Sequence, residues 1–437
     1  MKILIKNGRI WTGYEWRNQD LLIASGIIQA FLEPGELLNS YRDIQVYDVA
    51  GAIVVPGFID MHVHLREPGY EYKETILTGS KAAVKGGFTT IAAMPNTKPI
   101  TDSVAVVEYI QNSAHTADLA RVRPIAAITC NEAGERLTDF AALKAAAVVG
   151  FSDDGRGVQS AEIMRAAMQE AAALDLPIMA HCEDEELLAG GVIHTSSIAE
   201  ELGLPINRSE SEYKQIERDI LLAAETGAHY HVCHVSTKES VGLIRDAKSS
   251  GYKVTAEVTP HHLILNVNDI SVPYAQYKVN PPLRTEEDQI ALLTGFQDGT
   301  IDIISTDHAP HTAEEKARDF LSAPYGFTGL ELAFPALYTQ LVRNGVITLE
   351  ELLNKMSLTP ASIFKLAGGE IAVGQSADIT VIDLETSREV KAEMLVSQGK
   401  NTPFNGRRFQ GWPIITIVAG DVKWSSIDHT TEGEGVR

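Results

Sequence analysis

Apolar positions follow two rhythms along this chain. Over roughly the first fifty-five residues, and again from about 368 to 424, short runs alternate apolar with polar residues, as in KILIKNGRI, QDLLIASGIIQAF, ADITVIDL and WPIITIVAGDVKW. Alternation at period two marks half-buried strands. The pattern predicts one small β-domain, a sandwich, assembled from both ends of the chain over residues 1–55 and 367–424. The polar stretch SSIDHTTEGEGVR is expected to fray as a tail over 425–437.

The middle of the chain has a different beat. Near-continuous apolar, β-branched runs (GFIDMHVHL, FTTIAAMPN, RVRPIAAIT, AVVGFSDD, LPIMAHCE, AHYHVCHVS, YKVTAEVTP and IDIISTDHAP) alternate with segments such as SAEIMRAAMQEAAALD, whose apolar residues recur at helical spacing. Strands buried on both faces read as continuous apolar runs, and eight strand–helix alternations predict an α/β fold, a (β/α)8 barrel of the TIM type, over residues 56–366.

Nearly every run ends in polar or ionisable residues: His62 and His64, Asn96, Asp153 and Asp154, His181, His234, Thr259 through His262, Asp307. Barrel active sites are built at these carboxyl ends. On a strand, His62 and His64 project to the same face with Val63 opposite. Taken alone, the pair reads either as polar residues at a strand end or as metal ligands. With His181, His234, Asp154 and Asp307 it forms a plausible two-metal set, because imidazole and carboxylate suit zinc and similar ions, and six ligands are too many for one open tetrahedral site. Some alternatives stay open at the level of residues. A lone histidine such as His181 is often a core residue. In HYHVCHVS, His229, His231 and His234 compete, and period two puts His231 with Cys233 on one face and His234 on the other. Asp153 competes with Asp154. His261 and His262 suit packing or support of the ligands, and His115, His194 and His429 are expected at the surface.

Composition narrows the partners. The 437 residues are 44% hydrophobic and 22% charged, with a net charge of -21. That balance argues against nucleic acid and anionic membranes, which attract Lys and Arg excess. An anionic small molecule would need local positive charge, and Arg66, two residues past His64, offers a fork for a carboxylate. Its alternative is a surface salt bridge with Glu67 or Glu71. Three unpaired cysteines (Cys130, Cys182 and Cys233) suggest a reducing, cytoplasmic setting. The start MKILIKNGRIW does not read as a signal peptide, and no apolar run approaches membrane-spanning length.

An HxH after the first strand, single histidines after the fifth and sixth, and an aspartate after the eighth resemble the amidohydrolase superfamily. Within it, DMHVHLREPG, MPNT and STDHAPHTAEEK look like dihydroorotase of the long bacterial type, which carries an added β-domain; the resemblance spans nearly the whole chain. It implies two Zn2+ ions per subunit, bridged by Asp154 and a hydroxide and held by His62, His64, His181, His234 and Asp307. Several relatives bridge their metals with a carboxylated lysine; none stands in GFSDDG, and Asp154 fits the aspartate that replaces it. The resemblance makes Asp307 the catalytic proton carrier. It surrounds a substrate carboxylate with Arg66, Asn96 and His311, and places His64, Asn280 and the Tyr325–Gly326 backbone on the substrate, Tyr325 standing where Phe is expected. The implied reaction interconverts N-carbamoyl-L-aspartate and (S)-dihydroorotate in pyrimidine (UMP) synthesis. The implied partners are a second copy in a homodimer and aspartate transcarbamoylase. The rivals are another cyclic amidase, allantoinase or dihydropyrimidinase/hydantoinase-like, and a silent dihydroorotase-like subunit. The long segment 311–329 is expected to order around ligand as a cover, its alternative being a loop fixed against the β-domain.

Overall fold

The computed structural model describes residues 2–36, 44–270 and 275–432. Its centre is a (β/α)8 barrel. Strands Phe58–Val63, Phe88–Ala93 and Arg121–Pro124 form one parallel sheet; Ile178–Ala180, Tyr230–Val232, Val254–Val258 and Ile303–Ile304 form another. The run AVVGFSDD supplies the fourth wall through single parallel bridges from Phe151 to Ala126 and to Ile178, and a bridge from Val63 to His308 closes the ring. The fourth run is too irregular for a full ladder because the chain turns at once into the site. Helices begin at hydroxyl caps. Thr75, Ser160, Thr237, Thr285 and Thr348 each accept a bond from the backbone N–H three residues on, which satisfies a donor that the first helical turn leaves free.

The two chain ends build a two-layer sandwich. One sheet orders Thr430–Glu432, Ile44–Asp48, Lys2–Lys6, Asp20–Ala24 and Ile27–Leu32; the other orders Asp421–Ser425, Trp412–Val418, Ile379–Asp383, Ile53–Pro56, Arg9–Trp11 and Trp16–Arg17. Alternation works as period two requires: Ile3, Ile5 and Val54 face the sandwich core, while Ile53 and Val55 face the barrel.

The structure differs from the sequence expectation in two places. Residues 430–432, placed in a frayed tail, add an edge strand antiparallel to Ile44–Asp48, since alternating residues there can complete a ladder that the sheet leaves open. The stretch from about 388 to 411, counted with the β-domain, leaves the sandwich. Its Val390, Leu395, Phe404 and Phe409 pack with Leu265, Phe320 and Phe327 in a separate apolar cluster over the barrel's rim. Period-two reading cannot assign such a segment, because its apolar residues anchor loops. Among the described residues, no helix is long and apolar enough to cross a membrane.

The sandwich strand Ile53–Pro56 passes into the first barrel strand through Gly57 alone. Its N–H donates to the Asp378 carbonyl (2.9 Å), and a Cβ there would be driven into the Thr89 side chain. Gly57→Ala should therefore cost about 1–3 kcal/mol, as overpacking does, and lower the thermal midpoint. Gly242→Ala, in helix Lys238–Ser249 with open space around it, should leave the midpoint unchanged or raise it. Equal midpoints for Gly57→Ala and the wild type would show that the joint has slack.

Candidate active site

Asp60, His62 and His64 share strand parity, and all three turn into the barrel mouth. Asp60 is fully buried and accepts the His62 N–H (3.0 Å) and the Thr306 N–H (3.1 Å), tying the first strand to the eighth. The His64 N–H donates to the His308 carbonyl (2.8 Å). Three residues at the mouth stand in left-handed backbone: Arg66 (φ 61), His234 (φ 32) and Asp307 (φ 47). Non-glycine residues hold such angles only where surrounding contacts over-determine them, and they concentrate at functional sites. The turn at His234 explains why face parity misleads there: the strand ends at Val232, and the chain bends before His234 enters the cluster.

Around one point lie His62 Nε2, His64 Nε2 and Asp307 Oδ1, with 2.9 Å between the last two and 3.6 Å from His62 to Asp307. Around a second lie His181 Nδ1 and His234 Nε2, 3.0 Å apart. The Asp154 carboxylate sits between. Its Oδ1 is 3.3 Å from His62 Nε2 and 3.7 Å from both His181 Nδ1 and His234 Nε2, and its Oδ2 is 3.5 Å from His64 Nε2. A tetrahedral zinc with bonds of about 2.0–2.1 Å sets its ligand atoms roughly 3.3 Å apart, so these spacings fit. Among the described residues, His62 Nε2 and Asp154 Oδ1 are buried with no hydrogen-bond partner. Unpaired buried polar atoms are costly, and a cation satisfies both. Two triads, His62–His64–Asp307 and His62–Asp154–His234, bring their ligand atoms within 4.8 Å. The residues therefore fit a metal. Burial opposes the Asp154 charge, but the imidazoles of His62, His234 and His64 outweigh it and hold the carboxyl well below its usual range.

Surrounding groups aim the imidazoles. His62 Nδ1 is bonded to Glu257 Oε1 (2.7 Å), which leaves Nε2 for the cluster. His64 Nδ1 meets Asn96 Oδ1 (2.9 Å), and the Asn96 amide donates to Asp154 Oδ2 (3.2 Å). His181 turns Nε2 toward Glu183 (3.7 Å) and Asn280 (3.4 Å). Such partners fix tautomer and ring orientation at metal sites. Asp153 lies apart, accepting from both the backbone N–H and the hydroxyl of Thr129.

A cavity of about 340 Å³ opens onto the cluster. His64, Asp154, His181, His234 and Asp307 reach its wall, while His62 lies beneath at 0% exposure. Arg66, Asn96, Asn280, His311, Tyr325 and Gly326 line the same cavity. Arg66 Nε donates to the Pro310 carbonyl (3.3 Å), and its Nη2 stands 3.3 Å from His311 Nε2, so its fork is not spent on Glu67 or Glu71. His311 donates from Nε2 to the Tyr325 carbonyl (2.7 Å), and its Nδ1 receives Lys73 Nζ (3.2 Å). Burial, with Arg66 and Lys73 nearby, keeps this imidazole well below its usual pKa and neutral.

Sequence reading overlooked Glu257, Glu183 and Lys73. Glu257 stands between the buried Ala256 and Val258 in VTAEV, and a carboxylate inside an apolar strand is a usable signal; Lys73 carried none. His231 proves to be a supporting residue, with Nε2 3.2 Å from Glu257 Oε2. His262 bonds the Thr259 hydroxyl and the Pro281 carbonyl, and His261 packs edge-on against Phe327. His194, expected at the surface, is buried within 3.2 Å of Arg284 Nη1 and of the Asn207 carbonyl, because the loop carrying it folds back over the rim. His115 and His429 are exposed.

A family model described as Dihydro-orotase-like matches residues 51–240. A dihydroorotase of Anoxybacillus flavithermus is 54% identical over 405 residues, covering 93% of this chain and 94% of that protein. One from Geobacillus kaustophilus is 52% identical, covering 97% and 99%. Among solved structures, an L-hydantoinase (dihydropyrimidinase) from Arthrobacter aurescens superposes with a TM-score of 0.87 at 28% identity, covering 98% of this chain and 97% of that one. A dihydropyrimidinase from Brevibacillus agri shares the fold, with a TM-score of 0.83. With relatives this similar along nearly its whole length, the chain belongs to the dihydroorotase family, hydrolases of cyclic amide C–N bonds.

Proposed function

We propose that the chain interconverts N-carbamoyl-L-aspartate and (S)-dihydroorotate, the ring-closing step of de novo pyrimidine synthesis, in the cytoplasm and at a centre of two zinc ions. The observation that carries this reading is the contiguity of two features. The six-residue cluster with its orphaned His62 Nε2 and Asp154 Oδ1 forms the floor of a cavity whose wall holds Arg66. His62, His64 and Asp307 would hold one ion, His181 and His234 the other, with Asp154 between them. Bound there, zinc would polarise the ring carbonyl and lower the pKa of an attacking water. In ring opening the C–N bond breaks as a C–O bond forms. Asp307 takes the proton of the attacking water and delivers it to the departing ring nitrogen. The charge on Asp307 is opposed by burial but favoured more strongly by His64, His62 and His234, which keeps it a proton acceptor near neutral pH. Closure is the same path reversed. Arg66, Asn96 and His311 receive the ring carboxylate, while Asn280 and the Tyr325–Gly326 backbone meet the ring. A homodimer and association with aspartate transcarbamoylase complete the proposal and rest on the resemblance alone.

The rival cyclic-amidase reading draws on the likeness to the Arthrobacter aurescens hydantoinase. It lacks a use for a guanidinium at the cavity wall of a chain this acidic. The silent-subunit reading would call for a degraded cluster, and every member of the set is present.

Two predictions follow from these roles. Asp154→Ala should lose bound metal together with dihydroorotate turnover, read by metal analysis of the purified protein. Asp153→Ala should keep its metal, since that carboxylate serves Thr129. Retention of two tightly bound ions and normal turnover in Asp154→Ala would remove Asp154 from the bridge.

Arg66→Ala should cut kcat/KM on dihydroorotate at least about 30-fold with metal content unchanged, since losing one partner of a buried charge pair costs roughly 2–5 kcal/mol. Arg66→Lys should recover only part, because an ammonium lacks the bidentate fork. Near-normal efficiency in Arg66→Ala would move the reading to a cyclic amidase of neutral rings.

A further inference from the structure

Within the segment expected to order around ligand, the backbone from Ala323 to Phe327 is already held. The Ala323 carbonyl accepts from Lys278 Nζ (2.7 Å), Pro324 from Lys316 Nζ (3.0 Å) and Tyr325 from His311 (2.7 Å). Gly326 accepts from Lys316 Nζ (3.1 Å) and from the Asn401 amide (2.9 Å), and Phe327 from the Ala309 N–H (2.7 Å). Five consecutive carbonyls are thus engaged. Lys278 Nζ also reaches the Leu321 carbonyl (2.8 Å) and lies 4.4 Å from the Tyr325 ring centroid. The two lysines are coupled: Lys316 Nζ donates to the Lys278 carbonyl (3.3 Å), which also receives the Gly326 N–H (3.0 Å). At Gly326 (φ +127) a Cβ would lie 2.9 Å from the Ala309 carbonyl oxygen, so the backbone is seated tightly there.

Each lysine is 2% exposed, and among the described residues neither has a carboxylate within ion-pair distance. Burying an ammonium against carbonyl dipoles alone is costly, and a structural lysine is ordinarily found paired or snorkelling to water. What this arrangement achieves is local. Three donors on each ammonium gather carbonyl oxygens of the loop that lines the cavity with Pro324, Tyr325 and Gly326. The negative ends of those dipoles are spent on the lysines instead of being left to face an anionic ligand.

Resting on the dihydroorotase reading, we infer that Lys278 and Lys316 are positioning residues for substrate binding, presetting the 323–327 backbone against the cavity. Neither touches the reacting atoms. Their loss should weaken ground-state and transition-state binding alike, raising KM and leaving kcat in place.

The test is Lys316→Met and Lys278→Met in the full-length metal-loaded enzyme, with steady-state kinetics on dihydroorotate, metal analysis, and hydrogen exchange without ligand. The expected result is a KM raised about fivefold or more, with kcat within about twofold and metal content unchanged. Amide exchange over 323–327 should be at least about tenfold faster, while helix Ala161–Ala173 keeps its protection. Folded variants with unchanged KM and exchange would overturn the inference, as would a fall in kcat at constant KM. Loss of fold in both variants would overturn it too, because the lysines would then hold the barrel and not the loop. If the wild type itself does not turn over dihydroorotate, the proposed function fails, while the exchange measurement still decides whether the lysines hold the loop.

Discussion

Asp154 Oδ1 lies within 3.7 Å of three imidazole nitrogens and is hydrogen-bonded to none of them. A buried carboxylate oxygen in that position is expensive unless a cation meets it. The rest of the structure serves this crowding. Six such side chains can converge only where strand ends converge, and the closed ring of parallel strands supplies that point. The bridge from Val63 to His308 and the Asp60 bonds to His62 and Thr306 bring the first and eighth strands together, so that His62, His64 and Asp307 share one volume. Glu257, Asn96 and Glu183 then hold the far sides of the rings.

The cost is spread through local backbone. His234 and Asp307 accept left-handed angles to face the cluster, and Arg66 does so to face the cavity. These angles separate a floor suited to cations from a wall suited to an anion. The fold is shared with solved structures of an L-hydantoinase (dihydropyrimidinase) and a dihydropyrimidinase. Within such a fold, the groups around the cavity's edge have to choose the ring, since a metal pair can attack any amide placed above it.

Much of this was legible from the residues. Eight apolar runs ending in ionisable groups are enough to imply the barrel and its active end, because buried parallel strands and carboxyl-end sites both leave marks in one dimension. The cluster required the family resemblance at two points. Parity could not choose His234 over His231, since the deciding event is a bend after Val232. Nor could adjacency choose between Asp153 and Asp154, whose difference is that Thr129 claims the first. Lys73, Lys278 and Lys316 were invisible, since each works through backbone or residues distant in sequence. The rim segment around 388–411 was assigned to the wrong layer for the same reason: its apolar residues have no period to read.

In the proposed function, dihydroorotate hydrolysis runs on two metal ions held between those six side chains. Titration of the chelator-stripped enzyme with zinc, following dihydroorotate hydrolysis, tests it most directly. The account predicts negligible turnover without metal and a plateau at two equivalents per chain. Full activity in the stripped protein, or a plateau reached at one equivalent, would contradict it.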